Sequence, residues 1–279
     1  SDCLVGSEMC IRDSYMIGAF VAAAVASATG SFILALVAAL SAAALAGAIV
    51  EITIIRKLYN RNHLDQVLAT FALILIFSEG TRWVFGSFPL YLDAPSYLQG
   101  AVTLPGGIQY PLYRITLIFF GLIIGLGLGL LITKTRLGVQ IRAGENDREM
   151  VSALGVNISK LYTFIFALGA ALAGLAGALV GAIQSVEVGM GEPVLILAFV
   201  VIVIGGIGSV KGALIGSILV GLTDTLGGIF LPKFFSFFMD LATATNVGSS
   251  IASMSIYILM SIVLVLSLIH ISEPTRQSL

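Results

Sequence analysis

The stretch SFILALVAALSAAALAGAIVEITIIRK, residues 31–57, decides the fold class. From Ser31 to Ile55 it is almost wholly apolar and longer than the roughly 20 residues a helix needs to cross a bilayer. Arg56 and Lys57 follow at once, with Arg61 close behind. Basic residues collect in cytoplasmic loops, so this end is expected inside the cell. Ala38, Ala42 and Ala46 are small enough to let a neighbouring helix approach closely, and they are the expected packing stripe.

The rest of the chain has the same character. Of 279 residues, 58% are hydrophobic and 10% charged, against roughly 25% charged in a soluble domain. The expected architecture is therefore all-α, a polytopic transmembrane helical bundle in one membrane domain. Full spans are expected at 66–85, 114–133, 161–183, 213–230 and 251–266, besides the opening one. Two shorter apolar runs, 16–29 and 193–207, are expected as partial or broken helices, which brings the total to seven or eight. The formal net charge of −1 carries no argument for nucleic acid, and no such partner is expected.

Between the spans, the connections alternate in composition. Residues 86–113 hold Pro89, Pro95, Pro105 and Pro111 and have no helical period, which predicts an ordered exterior loop with a short hairpin around Pro105–Gly107. Gly121, Gly125, Gly127 and Gly129 stud the next span and predict close packing or a bend. A mixed outer connection is expected over 231–250. The run Leu45-Ala-Gly-Ala-Ile-Val50 recurs as Leu175-Ala-Gly-Ala-Leu-Val180 in a span of opposite direction, as an inverted repeat would. In a chain this rich in Ala, Gly and Leu, chance produces such a recurrence as readily.

One connection stands apart: KTRLGVQIRAGENDREMVSALGVNISK, residues 134–160. Lys134, Arg136, Arg142, Arg148 and Lys160 outnumber Glu145, Asp147 and Glu149, which again predicts the cytoplasmic side. Asn146 and Glu149 have capping-box spacing, and Gly155 supplies a stop, so a helix is expected over 147–154. Met150, Val151 and Leu154 gather on one face of it. A helix of about two turns is marginal alone in water, so it is expected to be docked.

Ionisable groups inside the spans are few. Glu51, Glu79 and Asp224 are the acids there, and Glu79 is followed at i+3 by Arg82, a spacing that predicts an ion pair near the outer surface. The sharper reading places Glu79 in a translocation path. Ion-coupled carriers concentrate such groups at mid-membrane, so the energy source is expected to be external. The glycine cluster Gly205-Gly206-Ile207-Gly208, followed by Gly212, interrupts a short apolar run as broken helices lining a pathway do. Gly205, Gly206, Gly208 and Asp224 are accordingly candidate path residues beside Glu79.

Enzyme-type motifs are missing from the sequence. The glycine cluster lacks dinucleotide-binding spacing, and G-x-x-x-x-G-K-[ST] does not occur, so the chain has no ATP-binding loop of its own. His63 lies in a basic loop with no companion ligand, and no cofactor or metal is expected. No nucleophile, base and acid are grouped, which argues against a membrane enzyme acting on lipid.

Residues Arg142-Ala-Gly-Glu-Asn-Asp-Arg-Glu-Met-Val-Ser-Ala-Leu-Gly-Val156, Ala167–Gly177 and Ile204–Ala213 resemble the permeases of branched-chain amino-acid ABC importers, the LivH type. Tyr15–Phe20 and Ala69–Leu75 are similar to that family as well. The resemblance implies a bacterial or archaeal inner-membrane subunit. Its partners would be a second permease subunit, two cytoplasmic ATP-binding subunits that hydrolyse ATP, and an extracytoplasmic substrate-binding protein. It further implies that the helix in 134–160 couples to the ATPase. Met150, Val151 and Leu154 would be apolar anchors, Arg142, Glu145, Asn146, Arg148 and Glu149 polar partners, and Gly155 the stop. Relatives of this type carry urea and amides as well as amino acids.

Residues 1–14 and 267–279 resemble translated sequencing-adapter sequence, which would make them foreign to a permease domain at 15–266. Cys3, Cys10 and His270 would then carry no functional information. The resemblance also implies a first spanning helix before Tyr15, so a truncated chain is expected. The alternative from another class is an ion-coupled secondary transporter of small solutes.

Overall fold

The computed structural model describes residues 4–58, 61–103, 109–146, 148–206 and 209–272. Among them, seven helices are long and apolar enough to cross a membrane. Among the described residues the only sheet is a two-stranded one. The chain is thus a polytopic helical bundle, in two compact units, Ser1–Leu195 and Ile196–Leu279.

The first unit is built on three helices, α1 (Leu4–Thr29), α2 (Phe32–Val50) and α8 (Ile158–Gly181), with α4 (His63–Phe85) against α1. Without a hydrophobic difference between lipid and side chain, such helices associate by close backbone packing. A Cβ on Gly177 would lie 2.0 Å from the Tyr15 carbonyl oxygen, and one on Gly47 2.4 Å from the Ala170 Cβ. Met16 and Phe20 of α1 are the largest apolar side chains in the resulting core.

Contacts between α2 and α8 run in opposite senses: Ala43 meets Gly174, Gly47 meets Ala170, and Glu51 meets Thr163. The two helices are antiparallel, and the recurring Leu-Ala-Gly-Ala runs sit in this pair. The buried stripe of α2 is Ala35, Ala39, Ala43 and Gly47, one residue on from the expected Ala38, Ala42 and Ala46. The choice falls on the stripe containing Gly47, where an added Cβ would collide with the Ala170 Cβ of α8.

The span that begins at Phe32 continues beyond α2 as a π-helical turn, Glu51–Ile55, and a last turn α3 (Arg56–Leu58). Its end lies beside the start of α8, since Arg56 reaches Thr163. Both connections expected in the cytoplasm therefore meet at one end of the unit. At the other end, Leu90 and Val186 exchange backbone hydrogen bonds of 2.9 and 2.8 Å, and Tyr113 Oη donates to the Leu179 carbonyl at 2.7 Å. The expected exterior hairpin is β1 (Ala101–Thr103) paired antiparallel with β2 (Gln109–Pro111). Its turn, with Pro105–Gly107, lies outside the described residues.

Three expectations about helix limits need correction. The break expected at Tyr15 is absent: α1 is one helix, and its spanning part begins at Cys10. Residues 16–29 are thus the C-terminal portion of a full span. Arg12, Asp13 and Ser14 are buried in it, and Arg12 pairs with Glu192 at 3.0 Å. The connection over 231–250 is likewise mostly helix, because α10 (Val210–Phe235) runs through Pro232 and α11 (Leu241–Ser272) starts soon after. Ser249, Ser250 and Ser253 return their hydroxyls to carbonyls three or four residues back, which lets so polar a stretch remain helical. Finally, α11 passes Leu266 without interruption.

Helix α5 (Leu112–Lys134) differs from the others, with none of its spanning window buried within the chain. A Cβ at Gly121, Gly127 or Gly129 would meet nothing within 4 Å, so among the described residues these three make no close helix contact.

In the second unit, α10 and α11 pair antiparallel through Gly227 against Ala252 and Gly248 against Pro232. Val200, Val220 and Ile256 form its core, Val200 coming from α9 (Gly191–Gly205). As expected for 193–207, α9 is short, 15 residues. Its first residue sits against Arg12, whereas Gly181, the end of α8, sits near Ala19. Between them the chain therefore turns back along seven residues of α1, roughly 10 Å at the helical rise.

Candidate functional site

The charged connection over 134–160 is ordered by local sequence signals. Thr135 closes α5 and accepts a hydrogen bond from the Gly138 amide at 3.2 Å, opening α6 (Arg136–Asn146). A Cβ on Gly138 would lie 2.0 Å from the Ile132 carbonyl oxygen, so only glycine lets α6 fold back this tightly on α5. This eleven-residue helix lies outside the expected 147–154, although its apolar and charged residues carry a helical period. At its far end Tyr162 of α8 donates to the Gly144 carbonyl at 3.3 Å.

A second, shorter helix follows, α7 (Arg148–Ala153). The Val156 amide donates to the Val151 carbonyl at 3.4 Å and the Gly155 amide to that of Ser152 at 3.0 Å. With Gly155 at φ +86, these bonds make a Schellman stop. Gly155 is therefore the terminator the sequence indicates. Two residues after Gly155, Asn157 caps α8 by accepting the Lys160 amide at 3.1 Å, a cap that its place just before the apolar run indicates. The angle between α7 and α8 is thus set by two motifs in immediate succession.

The three expected anchors do not share one fate. Val151 is buried on its own protein at 6% exposure, while Met150 and Leu154 are 61% and 77% exposed. The expected face of three is corrected to a pair at i and i+4, because Val151 is the residue that seats α7. Arg142 is exposed on α6. Asn146 is the last residue of α6, and Asp147 lies outside the described residues, as do the side chains of Glu145, Asn146, Arg148 and Glu149. The proposed Asn146–Glu149 capping box falls among these.

The candidate path residues fall in both units, Glu79 in the first and Gly205, Gly206 and Asp224 in the second. Glu79 and Arg82 form the expected pair, Nη1 to Oε1 at 2.8 Å, with both side chains about half exposed or more. Gly205 and Gly206 make the turn between α9 and α10: a Cβ on Gly212 would lie 1.7 Å from the Gly205 carbonyl oxygen, and Gly206 has φ +82. Ser209 caps α10 on the Gly212 amide at 3.0 Å. Gly208 lies outside the described residues, and Asp224 is exposed on α10. Among the described residues, no three His, Cys, Asp or Glu side chains gather as a metal site would need.

Sequence comparison adds an independent line. The profile of the family described as "Branched-chain amino acid transport system / permease component" matches residues 8–268. Among curated relatives, BraD of Pseudomonas aeruginosa, named a high-affinity branched-chain amino acid transport system permease protein, is 35% identical over 43% of this chain and 40% of its own length. LivH of Escherichia coli K12, with the same description, is 36% identical over 38% of this chain and 35% of its own. A probable branched-chain amino acid permease, LivH of Methanocaldococcus jannaschii, is 31% identical over 42% of this chain and 37% of its own. The chain thus spans about two fifths of the length of the curated relatives it matches. No solved structure matches.

Proposed function

Because this chain belongs to the branched-chain amino acid transport permease family, we propose that it is a transmembrane permease subunit of an ABC importer for branched-chain or other small hydrophobic amino acids. ATP is hydrolysed by two separate cytoplasmic ATP-binding subunits, and a second permease subunit completes the membrane path. The substrate arrives from an extracytoplasmic binding protein. The chain sits in the bacterial or archaeal inner membrane with 56–65 and 134–160 on the cytoplasmic side.

The observation that carries this reading is the exposed pair Met150 and Leu154 on α7, a helix whose direction is locked by Gly155 and Asn157. A six-residue helix gains little stability alone. Held rigidly with two large apolar side chains outward, it suits the groove of a partner that must push on it. Glu79, Gly205, Gly206, Gly208 and Asp224 line the translocation path in this proposal.

The test is reconstitution in proteoliposomes with the ATP-binding subunits, permease and binding protein encoded beside its gene. ATP-dependent uptake of radiolabelled leucine is expected. Uptake driven by an ion gradient without those subunits would instead make the chain a secondary carrier.

A further inference from the structure

Glu51 is wholly buried, 0% exposed, at the inner end of the span that begins at Phe32. It opens the π-helical turn Glu51–Ile55, and π turns inside α-helices recur at functional sites. Arg56 Nη2 donates to Glu51 Oε2 at 3.0 Å and to Thr163 Oγ1 at 2.7 Å. Thr163 Oγ1 in turn donates to the same Glu51 oxygen at 2.6 Å, closing a three-membered ring across two helices. Arg56 Nε, 3.4 Å from Glu51 Oε1, makes the pairing a fork.

The position of this ring matters more than its strength. Thr163 stands in the second turn of α8, directly after the Gly155 stop and the Asn157 cap. Elsewhere α2 and α8 meet through Ala43, Gly47, Ala170 and Gly174, which set distance but not direction. A guanidinium–carboxylate fork sets angle as well. Buried ion pairs are weak evidence for stability, and their better-attested use is to fix one arrangement among several.

We propose that Glu51, Arg56 and Thr163 are positioning residues that lock the start of α8 to the end of the α2 span. Movement of α7 is then carried into two transmembrane helices together instead of being absorbed by one. This rests on the ATP-driven reading above.

The experiment compares Thr163→Val, which keeps the shape and the ion pair, with Thr163→Ser, which keeps the hydroxyl. In the assembled, reconstituted complex, Thr163→Val is expected to leave assembly and ATP hydrolysis intact while leucine taken up per ATP falls about fivefold or more, in the usual range of coupling energies. Thr163→Ser restores it. Spin labels at Lys57→Cys and Ser152→Cys should show a broader distance distribution in Thr163→Val than in the parent. Unchanged uptake per ATP, or a loss that only follows the loss of assembled complex, overturns the proposal. If Thr163→Val does not assemble, the purified chain's label distances decide: an unbroadened distribution overturns it. If the unaltered chain shows no ATP-dependent uptake, the importer reading fails first and this inference falls with it.

Discussion

Gly174 of α8 faces Ala43 of α2 so closely that a Cβ on Gly174 would lie 2.3 Å from the Ala43 Cβ, with the Ala39 carbonyl oxygen 3.2 Å away. The first unit is held by such contacts more than by side-chain interdigitation. Gly174→Ala is therefore expected to lower the thermal stability of the detergent-purified chain, because overpacking costs about 1–3 kcal/mol. Gly169→Ala is the control, since a Cβ there meets nothing within 4 Å. It should be neutral or stabilising by up to about 1 kcal/mol through helix propensity.

Gly155 has φ +86, a conformation in which an L side chain is strained by about 1–2 kcal/mol. Gly155→Ala should loosen the end of α7 without unfolding the spans. Hydrogen exchange at the 155 and 156 amides is the measurement; protection there should fall while that of α8 stays unchanged.

Leu154 is 77% exposed, so a charge there has no folding penalty to meet. Leu154→Asp should insert and purify normally yet abolish substrate-stimulated ATP hydrolysis in the reconstituted complex. Ordinary stimulation in that variant would show that α7 does not dock.

Asp13 is 2% exposed, and neither carboxylate oxygen has a partner. A buried group left unsatisfied costs about 1–3 kcal/mol or more when charged. Asp13→Ala should therefore raise the melting temperature, an unusual direction for a buried substitution. A drop in melting temperature would show that Asp13 has a partner in the assembled protein.

How much of this was legible beforehand depends on the range of the interaction. The spans at α2, α4, α5 and α8, the exterior hairpin, the Glu79–Arg82 pair and the Gly155 stop follow from hydropathy, turn chemistry and i to i+3 spacing, all local properties. Helix α6 falls outside the expected 147–154 although it is amphipathic, and the polar start of α11 is helical because serine hydroxyls can be satisfied within the helix itself.

By itself, the sequence determined that this is a membrane bundle and where most of its spans lie, because lipid leaves an apolar run no alternative to a helix. The tertiary structure alone decided which of two adjacent alanine stripes on α2 is buried, that Val151 turns inward while Met150 and Leu154 remain out, and that Glu51 is bound across to Thr163. Each of these is a choice between nearly equivalent local arrangements. For the α2 stripe and for Glu51 the choice is made by α8, more than a hundred residues away along the chain, and for Val151 by the helices on either side of α7; no local pattern records such neighbours.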